Sequence, residues 1–322
     1  MQGLGLDLRS LNVSHIKRLS VSAANGRSFE KELPLGGFGI SRYTLDHALA
    51  QIAKQKGALL YEQTRVNDIQ FSNEKFSIES SKGNFKAKVV VGCFGKRSNL
   101  DVKWKRPFIV AKKNKLNNYI AVKYHIRYDF PGDLIALHNF KKGYCGISKV
   151  EGDQYCLCYL TTADNLQNSG NDIKKMEQTI LSANPHLKKI FDNCEKIRDE
   201  PVIISQISFD KKELIKDHVL MVGDAAGMIT PLCGNGMSMA LHASKIAAEQ
   251  ILKFLKGTIS RELMQRTYAA DWNENFENRL RTGRMLQRLF NNTWLTTLMI
   301  RIGRSFPGLI RALIKKTHGR SF

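Results

Sequence analysis

Residues 219–251 read VLMVGDAAGMITPLCGNGMSMALHASKIAAEQI, and the fold turns on this stretch. An apolar strand ends at Gly223, an acid follows at Asp224, and Ala225, Ala226 and Gly227 are too small to block a ligand. A strand end of this kind sets one carboxylate beside an open crevice. Pro231 stiffens the loop, and Gly234 and Gly236 permit close backbone approach where a long helix begins. Amide groups at that helix start, together with the positive end of the helix dipole, favour negative charge. Asp224 cannot serve the same anion, but it can accept hydrogen bonds from hydroxyl groups. Taken as structure alone, the stretch is a tight strand-to-helix turn with a GxxxA-like packing face on Gly236, Ala240, Ala243 and Ala247.

The pattern G-D-A-A-G-x-x-x-P-x-x-G-x-G followed by a small-residue helix resembles the second flavin-binding motif of flavoproteins built like aromatic hydroxylases, which the geranylgeranyl reductase family carries. The resemblance implies FAD as cofactor. By position it places Asp224 on the ribityl chain and Pro231 beside the isoalloxazine, with amides of Gly234, Asn235, Gly236 and Met237 toward the ring's carbonyl edge. Gly223, Ala225 and Ala226 complete the turn. Two further segments support it. GISRYTLDHAL, residues 39–49, resembles the family's R-x-x-L-D-x-x-L helix start, which puts Arg42 near the flavin with Asp46 as its structural companion. VVVGCFGKRSNLD, residues 89–101, resembles a strand followed by G-A-D-G-x-x-S, with Phe94 standing where an acid is usual. Lys96 and Arg97 there either face phosphate or form a solvated basic loop.

A flavoprotein of this fold opens with a strand, G-x-G-x-x-G and a helix. Gly3-Leu4-Gly5 is preceded by no strand, so the resemblance starts inside the family's pattern. The expected fold class is α/β (α+β): an incomplete Rossmann-like FAD-binding domain with an inserted antiparallel-sheet substrate domain and a helical C-terminus. The expected segments are 1–105 and 209–260 for the partial FAD-binding domain, 106–208 for the substrate domain and 261–322 for a helical basic region.

Working outward, Leu45, Leu49, Ile52 and Ala53 recur at helical spacing, predicting a helix over 44–56 capped by Ser41 or Thr44. The stretch before it shows little regular pattern. Runs at 65–71, 75–80 and 85–91 read as strands of a small sheet, the last ending in a buried VVVG. From Ile120 to Tyr128 apolar residues alternate with Lys123, His125 and Arg127, the period-two mark of a half-buried antiparallel strand. Runs at 134–140, 144–150, 155–161 and 202–208 continue the theme, interrupted by helices at 172–182 and 186–192. Beyond 234–255, helices are expected over 261–278 and much of 284–316.

At 322 residues and 43% hydrophobic content the chain is long enough for a sizeable core, which excludes a disordered protein. Fifty Lys+Arg against 29 Asp+Glu leave a net charge of +21, pointing to an anionic partner: nucleic acid, membrane or a phosphorylated cofactor. Six scattered cysteines match neither a zinc site nor a disulfide scaffold, so no metal is expected and a reducing cytoplasm fits best. Cys156 and Cys158 should share one sheet face in a core role. Neither a secretory signal nor a run of ~20 apolar residues is present, so a soluble or peripheral protein is expected. From Asn278 to Phe322 there are ten Lys+Arg and no Asp or Glu. Stripes on Trp294, Leu295, Leu298, Met299 and Ile302, and on Leu309, Ile310, Leu313 and Ile314, make this region either a helix pair lying on an anionic inner membrane face or one packed on the protein itself.

The resemblance implies an FAD-dependent reductase of an isoprenoid or other lipid-like small molecule, with NAD(P)H as electron donor. A flavin monooxygenase or halogenase on the same scaffold is the nearest alternative, and a truncated non-catalytic remnant or binding protein without flavin is the alternative outside enzymes. Nucleic-acid binding ranks below these, because the basic residues form no recognisable module. No acid, base or nucleophile set stands out, so no catalytic residue is assigned.

Overall fold

The computed structural model describes residues 2–110, 119–305 and 308. Strands β1 (Ser14–Ser22) and β2 (Ser28–Gly39) form a hairpin that leads into helix α1 (Arg42–Gln55). Strands β3 (Val66–Ser72), β4 (Lys75–Ser80) and β5 (Gly83–Ala87) form a meander, followed by β6 (Val91–Gly92) and the short helices α2 (Asn99–Lys103) and α3 (Pro107–Val110). Next come β7 (Tyr119–Arg127), β8 (Leu134–Phe140), β9 (Gly143–Lys149) and β10 (Tyr155–Thr162). Helices α4 (Ala163–Asn168), α5 (Ile173–Met176, continued by a π turn to Leu181) and α6 (Pro185–Asn193) follow. The chain then makes β11 (Glu195–Lys196), β12 (Val202–Ile207), β13 (Ile215–Lys216) and β14 (Val219–Met221). It finishes in α7 (Gly236–Leu255), α8 (Arg261–Phe290) and α9 (Thr293–Ser305).

By compactness the described residues fall into two units: those within Met1–Leu60, Tyr119–Gln206 and Arg288–Ile314, and those within Tyr61–Asn118 and Ile207–Gln287. The division differs from the segments expected from sequence, because β1 and β2 join the large sheet of the first unit. That sheet runs β11-β7-β10-β9-β8-β1-β2, with β12 also on β7, and β1 pairs β8 in parallel. These two N-terminal strands escape a periodicity search for a physical reason: a register shift between Ile16 and Arg18 breaks the alternation of β1. Elsewhere alternation does its work. Val122, Tyr124 and Ile126 of β7 enter one core with Leu157, Tyr159, Ile147 and Phe140, covered by Met176, Leu181, Leu187 and Ile190. Cys156 and Cys158 correct the sequence reading: they share one face, as expected, but it is the half-buried face opposite Leu157, where they register with His125 and Lys123.

Two polar devices lock this unit. Glu151 accepts Ser41 N–H at 2.6 Å and Thr44 Oγ1–H at 2.7 Å, while Ser41 caps α1 by accepting Thr44 N–H at 3.1 Å. Partial burial opposes ionisation of Glu151, but the bonds from Ser41 and Thr44 outweigh it and hold the carboxyl at about 2. Deeper in, His138 Nδ1 meets Ser22 Oγ at 2.8 Å, and Asn184 Nδ2 donates to Ser22 Oγ at 3.0 Å. Burial, reinforced by nearby His186, pushes His138 down to about 3, so its ring is neutral in the fold.

The second unit carries two three-stranded sheets, the antiparallel β3-β4-β5 and the mixed β13-β14-β6. The run expected as one buried strand over 85–91 is split between them, and Val91 is 36% exposed because β6 has only β14 beside it among the described residues. Its core gathers Val219 to Val222, Met239, Ala243, Ala247, Met264, Tyr268, Trp272 and Phe276. Helix α8 does not break near 279–283 as expected. Gly283 lies close against the Thr230 side chain, where an added Cβ would stand 3.0 Å from Oγ1, and the break comes at Asn291-Asn292. Asn292 Oδ1 caps α9 by accepting Trp294 N–H at 3.0 Å. In α9 the buried face is Thr296, Ile300 and Gly303, while Trp294 and Leu298 of the expected stripe are 69% and 39% exposed. The second stripe, 309–314, lies outside the described residues. Among those described, no helix is long and apolar enough to cross a membrane.

Candidate functional site

Strand β14 is fully buried, paired in parallel with β6 and tied to α8 by the Tyr268 hydroxyl, which donates to Met221 O. A buried strand that stops abruptly must turn without crowding, and Gly223 provides the turn at φ +64. An added Cβ at Gly223 would lie 3.4 Å from Ala240 Cβ, so the turn rests on α7 at a small residue. Ala243 and Ala247 continue that face into the core, so the packing role of the small residues is real and coexists with any ligand role. Asp224 follows, half-buried, with Ala225 and Ala226 buried beneath.

The loop then passes under α8. An added Cβ at Gly227 would stand 3.1 Å from Trp272 Cη2 and 3.2 Å from Leu280 Cδ1, so a larger residue there requires those side chains to shift. Pro231 opens a single 3-10 turn that ends at Gly234 in the left-handed region, φ +66. Pro231 and Gly234 are exposed, and Asn235, Gly236 and Met237 are half-buried. Helix α7 therefore begins at an accessible point. Asn235 makes no side-chain cap and the first turn of this 20-residue helix holds no acid, so neither feature offsets the positive end of its dipole. An added Cβ at Gly234 would meet nothing within 4 Å. Such a helix start suits an electron-rich group, because its leading backbone N–H groups are donors.

Two buried cations hold this turn from the other side. Arg106, with no exposed surface, donates to Asp101 Oδ1 at 2.8 Å, to Ala225 O at 3.1 Å and to Glu213 O at 2.6 Å. Lys212, 5% exposed, donates to Asp224 O at 2.7 Å and Lys96 O at 2.8 Å. Asp101 also closes a capping box with Ser98 at the start of α2. Sequence reading missed Arg106 and Lys212. Lys212 sits in the run D-K-K-E, where nothing separates it from exposed Lys211, and only the S-x-x-D spacing of Ser98 and Asp101 signals local order.

Gly223, Asp224, Ala225, Ala226, Pro231, Gly234, Asn235, Gly236 and Met237 thus stand together on one strand–turn–helix of the second unit. Arg42 does not join them within that unit. It begins α1 in the first unit, 65% exposed, and pairs with Asp46 at 2.8 Å, the companion expected for it. In the 92–98 loop, Lys96 is half-buried and Arg97 exposed. Among the described residues no group of three or more His, Cys, Asp or Glu is arranged to hold a metal ion.

Residues 39–274 match the family described as FAD binding domain. The conditioned medium factor receptor 1 of Dictyostelium discoideum is 25% identical over 251 residues, covering 74% of this chain and 48% of that protein. A digeranylgeranylglycerophospholipid reductase of Methanococcus vannielii is 25% identical over 298 residues, covering 87% of this chain and 72% of the relative. The chain spans about half the length of some curated relatives it matches. Among solved structures, the flavin-dependent brominase Bmp2 is similar with a TM-score of 0.79 at 18% identity, over 98% of this chain and 80% of that one. At that identity the likeness establishes the fold alone, a mixed α/β one.

Proposed function

Because the chain belongs to the FAD binding domain family, we propose that it works as an FAD-dependent reductase of an isoprenoid or other lipid-like unsaturated substrate, with NAD(P)H as electron donor. One observation supports the flavin reading: an acid, Asp224, at the end of a buried strand is followed within one short loop by an accessible helix start at Gly236 that has no side-chain cap from Asn235. When bound, the flavin supplies a two-electron carrier between a nicotinamide and a carbon–carbon double bond. The protein supplies position. Asp224 would accept hydrogen bonds from ribityl hydroxyls, and Pro231 and the amides from Gly234 to Met237 would hold the ring. The dipole of α7 favours negative charge there, which stabilises the reduced state over the oxidised one.

The lipid-like substrate rests on similarity to proteins named digeranylgeranylglycerophospholipid reductase. The basic region 279–320 accords with such a substrate, since cations and exposed Trp294 suit an anionic membrane surface. The test is a single turnover without oxygen, using chemically reduced, FAD-loaded protein and a geranylgeranyl lipid in micelles, read by mass spectrometry. The lipid should gain hydrogen while the flavin reoxidises. A product that forms only with oxygen, or carries oxygen or halogen, replaces the reductase reading with the monooxygenase or halogenase one.

A further inference from the structure

Lys212 is a buried ammonium with an unusual set of partners. Its two hydrogen bonds go to neutral carbonyls, Asp224 O and Lys96 O, and among the described residues no carboxylate stands within ion-pair distance of it. Burying an ammonium costs several kcal/mol. Residues under no constraint beyond packing do not hold such a charge. The fold places it over the Phe108 ring at 4.4 Å, and Arg106 packs on the same ring at 5.2 Å. Each cation takes one of two successive carbonyls, Asp224 by Lys212 and Ala225 by Arg106.

We propose that Lys212 and Arg106 are positioning residues of the flavin site, a two-cation clasp that fixes the Asp224 turn from behind and keeps a positive charge next to it. The proposal rests on the flavin reading above. Its geometry joins three pieces of the second unit: the Gly223–Ala225 turn, the 92–98 loop through Lys96 O, and α2 through the Asp101–Arg106 pair. If the turn were held by packing alone, apolar side chains would fill the places of both cations.

The two cations are not equivalent. Arg106 is wholly buried and holds three oxygens, Asp101 Oδ1, Ala225 O and Glu213 O. Lys212 is also among the residues lining a pocket of about 210 Å³, with Asp210, Glu213, Trp272, Glu277 and Arg284. The charged groups around Lys212 are Asp101 and Arg106 beside α2, Lys96 in the 92–98 loop, Asp224 in the turn, Asp210, Lys211 and Glu213 on its own loop, and Glu277 and Arg284 on α8. Burial pulls Lys212 down to about 8; Asp101 and Asp224 oppose that fall, and Arg106 and Lys96 add to it. A neutral amine still has two N–H donors, so above that pH both carbonyl bonds can persist while the charge is lost. Alkaline pH therefore separates the holding of the turn from the charge beside it, and an anionic cofactor should weaken as the charge goes.

The experiment titrates FAD into the full chain from pH 6.5 to 9.5 for wild type, Lys212→Met and Lys212→Arg, with backbone amide exchange over residues 223–227 measured separately without FAD. Wild type should lose affinity with a midpoint near 8. K212M should bind roughly tenfold or more weakly at pH 7 with a flat profile, and its 223–227 amides should exchange about tenfold faster. K212R should hold its affinity across the range. Wild-type affinity, profile and exchange in K212M would overturn the clasp. Should K212M fail to fold, an alkaline loss in K212R like that of wild type overturns it equally. If wild type binds no FAD at any pH, the flavin reading fails, and unchanged amide exchange in FAD-free K212M then decides the clasp by itself.

Discussion

Arg106 and Asp101 have no exposed surface, and two opposite charges taken out of water together are tolerable only when geometry and extra hydrogen bonds offset desolvation. Here Asp101 also accepts Ser98 N–H at 2.7 Å, and Arg106 reaches two carbonyls besides its partner. Arg106→Met should lower unfolding free energy by about 3–5 kcal/mol, because Asp101 is left buried and unpaired. Urea unfolding measures this, and adding Asp101→Asn should recover part of the loss; a change below ~1 kcal/mol would show the pair to be inert. His138 makes a separate, pH-dependent claim. Its folded value of about 3 lies below the ordinary 6.5, so below pH 6.5 the unfolded chain binds a proton that the folded chain refuses. Stability from this group is therefore full above 6.5 and falls as pH drops toward 3, by on the order of 4–5 kcal/mol. His138→Gln should flatten that part of the stability–pH curve, and an unchanged slope would assign the acid loss to other groups. None of these residues is legible in sequence. A buried Arg, Lys or His has the same letter as a solvated one, and only tertiary burial separates Lys212 from Lys211.

Helices were readable where a local signal coincides with the core. In α1, Ser41 caps as its place before Arg42-Tyr43-Thr44 suggests, and Leu45 is buried as its spacing requires. Strand–turn–helix at 219–251 was readable for the same reason: glycines stand where positive φ is needed, at Gly223 and Gly234. Strands β1 and β2 were not, because one bulge shifts the alternation and Pro34, Gly36 and Gly37 interrupt the partner. The break before α9 was misplaced because Gly283 serves close packing, not helix termination. That helix also sets a test of the proposed membrane contact. Trp294 is 69% exposed whereas Trp272 is 4% exposed, so Trp294 should report contact with lipid. Vesicles rich in anionic lipid should blue-shift the emission in wild type and not in Trp294→Phe, and salt should reverse it. An equal response to neutral vesicles, or none to anionic ones, argues that α9 binds no charged surface.

At the scale of the whole chain, a +21 charge is compatible with several anionic partners, and the match of residues 39–274 to the FAD binding domain family is what points to flavin among them. The sequence pattern made the α/β class and the sheet-rich middle visible, because alternation and the G-D-A-A-G segment are local. The grouping of 1–60 with 119–206 was hidden, since the parallel pairing of β1 with β8 joins residues more than a hundred positions apart. Substrate identity lies in no local pattern at all, which is why a lipid was inferred from relatives and not from a residue. The most direct measurement is equilibrium binding of FAD to the full chain, by absorbance and flavin fluorescence, beside Asp224→Ala. Wild type should bind saturably with a shifted flavin spectrum and Asp224→Ala at least tenfold more weakly, both folded by circular dichroism. Folded wild type that leaves the flavin spectrum unchanged, or an Asp224→Ala variant that binds as tightly, would contradict the flavin reading.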